Sequence, residues 1–242
     1  MNPLEPGARL GAARERWRQL LGGRAGAVPS TLPLFTTAET GRAVRRHAAW
    51  LAHQIGAGTI AVVGRGLYVV VPDGAPVGWT PDPVEVAWLL AAHRFGRVLP
   101  YVCGVSAAAL HGACAVPFGE VHVTVPRQTR DRPLPPLGAT ARFHQRREID
   151  VAPGFWAAPA PVRESPGPVL ETRHGELCDL RVTSRVQTAL DLVHSPVRMG
   201  APGDAPRLAD VLVRGTDGRD VRTVATGQRR HKAWERLWRL RA

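Results

Sequence analysis

Residues 101–127 read YVCGVSAAALHGACAVPFGEVHVTVPR, and the order of residue types in this stretch sets the fold class. Tyr101-Val102-Cys103 is a short β-type run, broken by Gly104. Ser106 is placed to cap a helix over residues 107–111, its hydroxyl accepting from a free backbone N–H of the first turn. Gly112 ends that helix, and Val121-His122-Val123-Thr124-Val125 alternates as a half-buried strand does. Pro126 closes the strand because it has no N–H for the ladder. Strand, capped helix, strand, with Gly and Pro as punctuation, predicts an α+β protein.

On the N-terminal side, Leu10, Ala13, Trp17, Leu20 and Leu21 fall on one helical stripe, with Arg9, Arg14, Arg16 and Arg18 around it and Gly22-Gly23 as a stop. After a Pro- and Gly-bearing connector, residues 34–72 read LFTTAETGRAVRRHAAWLAHQIGAGTIAVVGRGLYVVVP. Thr36 or Thr37, followed by Glu39 or Thr40, starts a helix, and Gly41 reads as a turn. Val44, Ala48, Leu51 and Ile55 define the apolar stripe of a second helix, which Gly56 and Gly58 end. Trp50 lies off that stripe and is expected to pack rather than to bind. Two strands over 59–63 and 67–71 flank the tight turn Gly64-Arg65-Gly66.

Helix, turn, helix, hairpin is the order of a winged helix-turn-helix, expected over residues 1–75. A helix fits the DNA major groove, and an arginine at a hairpin tip reaches phosphate or the neighbouring minor groove. Arg42, Arg45, Arg46 and His47, near the start of the second helix, are therefore expected to face double-stranded DNA, with Arg65 at the wing. Each of these arginines reads equally well as part of a solvated face. A winged helix can also serve purely as a protein-docking unit.

Beyond the Gly/Pro-rich junction at 73–83 a larger mixed α/β domain is expected over residues 76–242. Asp82-Pro83 opens a helix over 84–95, apolar on most sides and hence buried. The loop 128–138, with Arg130, Arg132 and three prolines, is too Pro-rich for long regular structure. A strand over 139–143 pairs near 121–125, and His144, Arg146 and Arg147 end it in positive charge. Residues 152–168 are again rich in Pro and Gly, anchored by Phe155 and Trp156. A strand over 177–182 leads to a helix capped by Thr183 or Ser184, with Val186, Ala189, Leu190 and Val193 on one face. A further helix is expected over 208–213. The last stretch, QRRHKAWERLWRLRA, puts Trp234, Leu237 and Trp238 on a docking helix with a basic back.

The composition fits this reading. Across 242 residues, 32 Lys and Arg outnumber 20 Asp and Glu, a net charge of +12, and Lys232 is the single lysine. A GC-rich genome accounts for Arg replacing Lys but not for the excess of bases, which favours a polyanionic partner. No apolar run approaches the roughly 20 residues of a membrane span, and the sequence MNPLEPGARLGAARERW has no apolar segment suited to a secretory signal. A cytoplasmic protein with no membrane partner is expected. Cys103, Cys114 and Cys178 form no CxxC pair. Cys103, His111, Cys114 and His122 lack the paired spacing of a zinc site and read as buried side chains, so neither metal nor cofactor is expected.

Two enzymatic readings carry less weight. Gly104-Val105-Ser106-Ala107-Ala108 resembles a nucleophile elbow but lacks its final glycine, and Asp179, Asp191, His194 and His231 are loose candidates for triad partners. A nuclease or nucleotide-driven enzyme needs clustered carboxylates or a lysine-bearing phosphate loop, and Lys232 has neither context. The expectation is a protein that is not an enzyme.

The stretch 101–127, with Leu110-His111-Gly112 and Thr124-Val125-Pro126-Arg127, resembles the AbiEi family. So do the FTTAE to GRGLYVV segment and the helix VTSRVQTALDLV. Members are the antitoxin and transcriptional-repressor halves of type IV toxin–antitoxin pairs. The resemblance implies a winged helix followed by a larger antitoxin domain. It also implies repression of the protein's own operon through inverted repeats, and action against a cognate nucleotidyltransferase-like toxin, with or without direct contact. The Pro-rich stretches 128–138 and 153–168 and the extended N-terminal helix depart from the family. Direct toxin docking and a stand-alone repressor remain open as alternatives.

Overall fold

A computed structural model describes residues 32–115, 119–146 and 169–239. The expected helix over 10–21, the Phe155 and Trp156 anchors and Arg147 lie outside the described residues. The architecture is α+β, with two sheets and helices on both sides of the larger one.

The first sheet is built from β1 (Leu34–Thr36), β2 (Ile60–Gly64) and β3 (Leu67–Val70), all antiparallel in the order β1-β3-β2. Two helices, α1 (Thr37–Ala43) and α2 (His47–Gly56), are inserted between β1 and β2. Helix α3 (Pro83–Phe95) follows. Its start is the one expected: the Asp82 carboxylate accepts the Val84 N–H at 2.7 Å, with Pro83 in the first turn.

The second sheet has six strands, β4 (Tyr101–Val102), β5 (Glu120–Val125), β6 (Arg132–Leu134), β7 (Ala139–Gln145), β8 (Leu170–His174) and β9 (Asp179–Thr183), in the order β6-β7-β5-β4-β9-β8. The β5–β7 and β4–β9 pairs are parallel and the remaining pairs antiparallel. Helix α4 (Gly104–Leu110) joins β4 to β5, and α5 (Arg185–His194), α6 (Ala205–Val213), α7 (Gly218–Gly227) and α8 (His231–Arg239) complete the chain.

Period-two alternation separates the faces of the large sheet. Val102, Val121, Val123, Val125, Leu180 and Val182 point into a core with Val86, Leu89 and Trp88 of α3. Leu34, Val63, Leu67 and Val69 of the first sheet belong to the same core, so apolar packing runs unbroken between the two sheets. The opposite face lies under the C-terminal helices, whose Leu190, Leu208, Leu212 and Leu237 form a second core with Tyr101 and Cys103.

This second face differs from the expected half-buried strand. His122, Thr124, Arg181 and Thr183 are polar yet buried, because helices cover them where solvent was expected. His122 stacks on His144 with ring centroids 5.1 Å apart, and its Nδ1 lies 2.8 Å from His144 Nε2, so one ring donates its N–H to the other. His144 therefore does not end β7 in positive charge; burial, followed by the neighbouring His122, pushes its pKa down to about 4.

Ser106 also differs from its expected role. Helix α4 begins at Gly104, with no side chain capping it. Its N-terminal Val105 N–H donates instead to Met199 O at 2.9 Å, across a turn that approaches so closely that a Cβ on Gly104 would sit 2.7 Å from that oxygen. Ser106, within the first turn, accepts the His122 N–H at 3.0 Å and pins the helix to β5. In the β8–β9 turn, buried Glu85 of α3 accepts backbone N–H groups from Glu176 at 2.7 Å, Leu177 at 2.6 Å and Cys178 at 3.3 Å. Leu177 thus lies in a turn, and the strand expected from it starts at Asp179. Among the described residues no helix is long and apolar enough to cross a membrane.

Candidate nucleic-acid interface

Helix α1 starts where the Thr/Glu pattern places it. Thr36 Oγ1 accepts the Glu39 N–H at 3.2 Å, and Glu39 Oε2 accepts the Thr36 N–H at 2.7 Å, a reciprocal capping box. The second Glu39 oxygen lies 2.8 Å from His93 Nε2 on α3, which fixes the start of α1 against the larger part of the molecule. Burial pushes the Glu39 pKa up, but the hydrogen bonds from His93 and Thr36 outweigh it and hold the carboxyl below its ordinary value.

Gly41 lies inside α1 and does not make the turn. The helix runs to Ala43, and Val44 N–H closes it on Thr40 O at 2.8 Å. The turn is Val44-Arg45-Arg46, and α2 starts at His47 with Arg46 as an N-cap that offers no side-chain acceptor. Arg42, in the last turn of α1, and Arg45 and Arg46, on this turn, are exposed, and His47 is half-buried, its ring turned toward Gly41. No acidic residue occupies the first turn of α2. The positive end of the helix dipole and the arginine charges therefore add.

The expected stripe of α2 is met in part: Leu51 is buried and Val44, in the turn before the helix, packs against the same cluster, but Ala48 and Ile55 do not. Leu51 is its buried residue, and half-buried Trp50 packs beside it against Phe35, Ile60 and Val70. Ala48, Ala49, Ala52 and Ile55 face outward. The start of α2 at His47 leaves Val44 off the helix, and the sheet is met by the side bearing Trp50 and Leu51. Trp50 packs, as expected. The outward alanines are the signal that periodicity misassigned: small apolar residues count toward a core stripe but let a helix backbone approach a partner closely.

Arg65 stands apart from the other four residues. It forms the exposed tip of the β2–β3 turn, and Gly66 O accepts the Thr37 N–H at 3.0 Å, so the turn abuts the first residue of α1. Arg42 lies at the opposite end of that helix, about 8 Å further along its axis. The Arg65 carbonyl accepts from Arg132 Nη2 at 3.1 Å, which docks the turn on the first residue of β6. Arg65 thereby joins Arg94, Arg130 and Arg132 around a groove of about 1050 Å³. These arginines are as much as 67 residues apart in the chain, and their proximity has no local signature.

The side chains raised for metal or nucleophilic chemistry are engaged elsewhere. His111 Nε2 lies 2.7 Å from Thr183 O and must donate to it, which leaves Nδ1 to accept from Arg173 Nη2 at 2.9 Å. His111 is thus a neutral buried brace, its pKa lowered chiefly by burial. Cys103 is buried, its thiol pushed up to about 12 by desolvation. Asp191 pairs with Arg230 and takes a Gln187 amide hydrogen at 2.9 Å.

No family profile matches the chain, and no curated protein is similar to it in sequence. In fold it is similar to the RV2827C protein from Mycobacterium tuberculosis, at 17% identity and a TM-score of 0.52 over 95% of this chain and 75% of that one. At this level of identity the likeness is one of fold.

Proposed function

We propose that the chain is a non-catalytic DNA-binding repressor and antitoxin. In this reading residues 1–75 form a winged helix-turn-helix and residues 76–242 an antitoxin domain. The observation that carries it is the first sheet: two helices between β1 and β2, a β1-β3-β2 order, and an exposed basic turn at the start of the second helix. Helix α2 is then the element that enters the major groove. Arg42, Arg45, Arg46 and His47 meet phosphates and base edges at its positive end, and Ala48 and Ala52 allow close approach to the groove floor. Arg65 supplies a phosphate contact from the wing. The resemblance of residues 101–127 to AbiEi proteins extends the reading to repression of the chain's own operon through inverted repeats. It also adds action against a nucleotidyltransferase-like toxin.

The test is a gel-shift titration on the DNA upstream of the gene, with unrelated DNA as competitor. Competitor-resistant binding is expected. Binding that ignores sequence at every salt concentration sinks the repressor reading. A second reading, direct docking on the toxin with the winged helix as scaffold, is favoured by the bond from Arg132 to the Arg65 carbonyl, which ties the wing to the larger domain. Co-purification of untagged toxin with the full chain supports that reading.

A further inference from the structure

The groove beside the β2–β3 turn has two chemically distinct parts. Its rim carries Arg65, Arg94, Arg130 and Arg132, drawn from the hairpin, the end of α3, the loop before β6 and the start of β6. Its wall is apolar and includes the half-buried rings of Phe95 and Phe143. Among the described residues none of the four arginines has a carboxylate partner. The acidic side chain in the lining, Asp131, is taken by Arg142 Nη1 at 2.7 Å and the Phe143 N–H at 3.0 Å. His93, also in the lining, is held by Glu39. The groove thus presents uncompensated positive charge beside an aromatic surface. Arg94 already stacks at 5.2 Å over the Phe95 ring, so guanidinium and ring are pre-aligned.

A bare anion would satisfy the arginines and leave the aromatic wall wet, whereas an apolar ligand would leave the charges without partners. A ligand joining phosphate to a flat ring satisfies both, and the volume exceeds what one such molecule needs. We propose that this groove is a nucleotide-binding site, with phosphates on the arginine rim and the base against Phe95 and Phe143. The proposal does not depend on the chain binding DNA.

The experiment is calorimetric titration of the full chain with ATP and with GTP, alongside inorganic triphosphate, in about 0.15 M salt to screen diffuse attraction. Saturable one-site binding of at least one nucleotide is expected, with triphosphate weaker. The Arg130→Ala/Arg132→Ala variant should lose roughly tenfold or more, because charge-assisted bonds to phosphate go with the side chains. Arg94→Ala, on a different element, should weaken binding in the same direction. Arg45→Ala/Arg46→Ala, outside the groove, should bind as the parent does. The proposal is overturned by any of three results. These are no saturation by either nucleotide up to about 1 mM, triphosphate binding as tightly as the nucleotides, or an equal loss in the Arg45/Arg46 variant.

Discussion

Replacing Arg45 and Arg46 together by alanine gives the sharpest test of the α1–α2 turn as a DNA-facing surface. Both side chains are exposed at the head of a helix whose first turn carries no acid, so their charge is available to phosphate. Each phosphate neutralised contributes about −0.9 to the slope of log affinity against log salt. Losing two contacts should make that slope shallower by about 1.8. A fourfold rise in salt, from about 0.05 to 0.2 M, then narrows the affinity gap between parent and variant by roughly twelvefold. The assay is fluorescence anisotropy on upstream DNA at several salt concentrations, with thermal unfolding as a control. Exposed substitutions of this kind change stability by about 0.5 kcal/mol or less. An unchanged slope would show that the turn does not meet phosphate and would remove α2 as the recognition helix.

Other outcomes follow from the interior. Glu85→Ala leaves three backbone donors in the β8–β9 turn without their acceptor. It should cost about 3 kcal/mol or more by urea denaturation, and a smaller loss for Glu85→Ala than for the exposed Glu235→Ala would contradict the bracing role. Gly104→Ala adds a Cβ at φ 59° and 2.7 Å from Met199 O. A loss of about 1–3 kcal/mol is expected, and an unchanged melting temperature counts against the tight packing at this turn. The third outcome concerns pH. His144 is depressed to about 4 by burial and then by His122, below the unfolded value of about 6.5. The unfolded chain therefore binds the extra proton first, so this contribution is complete above pH 6.5 and is lost as pH falls toward 4. Parent stability should drop over that window more steeply than that of a His122→Phe/His144→Phe variant, and parallel curves would refute the assignment.

Local signals were read correctly where one short segment supplies every partner. The Thr36–Glu39 capping box, the Asp82-Pro83 start and the Ser184 cap on Gln187 N–H are each complete within about four residues. The β2–β3 hairpin is fixed the same way, by alternation on either side of Gly64-Arg65-Gly66. Four elements escaped because their local signal is weak, and two of them, β1 and β6, are three residues long. Strand β8 has alternating charges and no fully buried residue. Helix α7 is half polar with glycine at both ends, and buries only Val221 and Ala225.

The candidate site divides along the same line. The sequence by itself determined that Arg42, Arg45, Arg46 and His47 gather at one helix start, because they are neighbours in the chain. It also determined that Arg65 caps a tight turn. Tertiary structure alone decided that Arg65 meets Arg94, Arg130 and Arg132 around a groove. It also turned Ala48 outward and Trp50 inward on α2, and made Ser106 a brace to His122 rather than a cap. The reason is physical. Periodicity states that one face of an element is apolar, but which neighbour covers each face, and whether a polar face meets water or a helix, depends on partners far away in the chain.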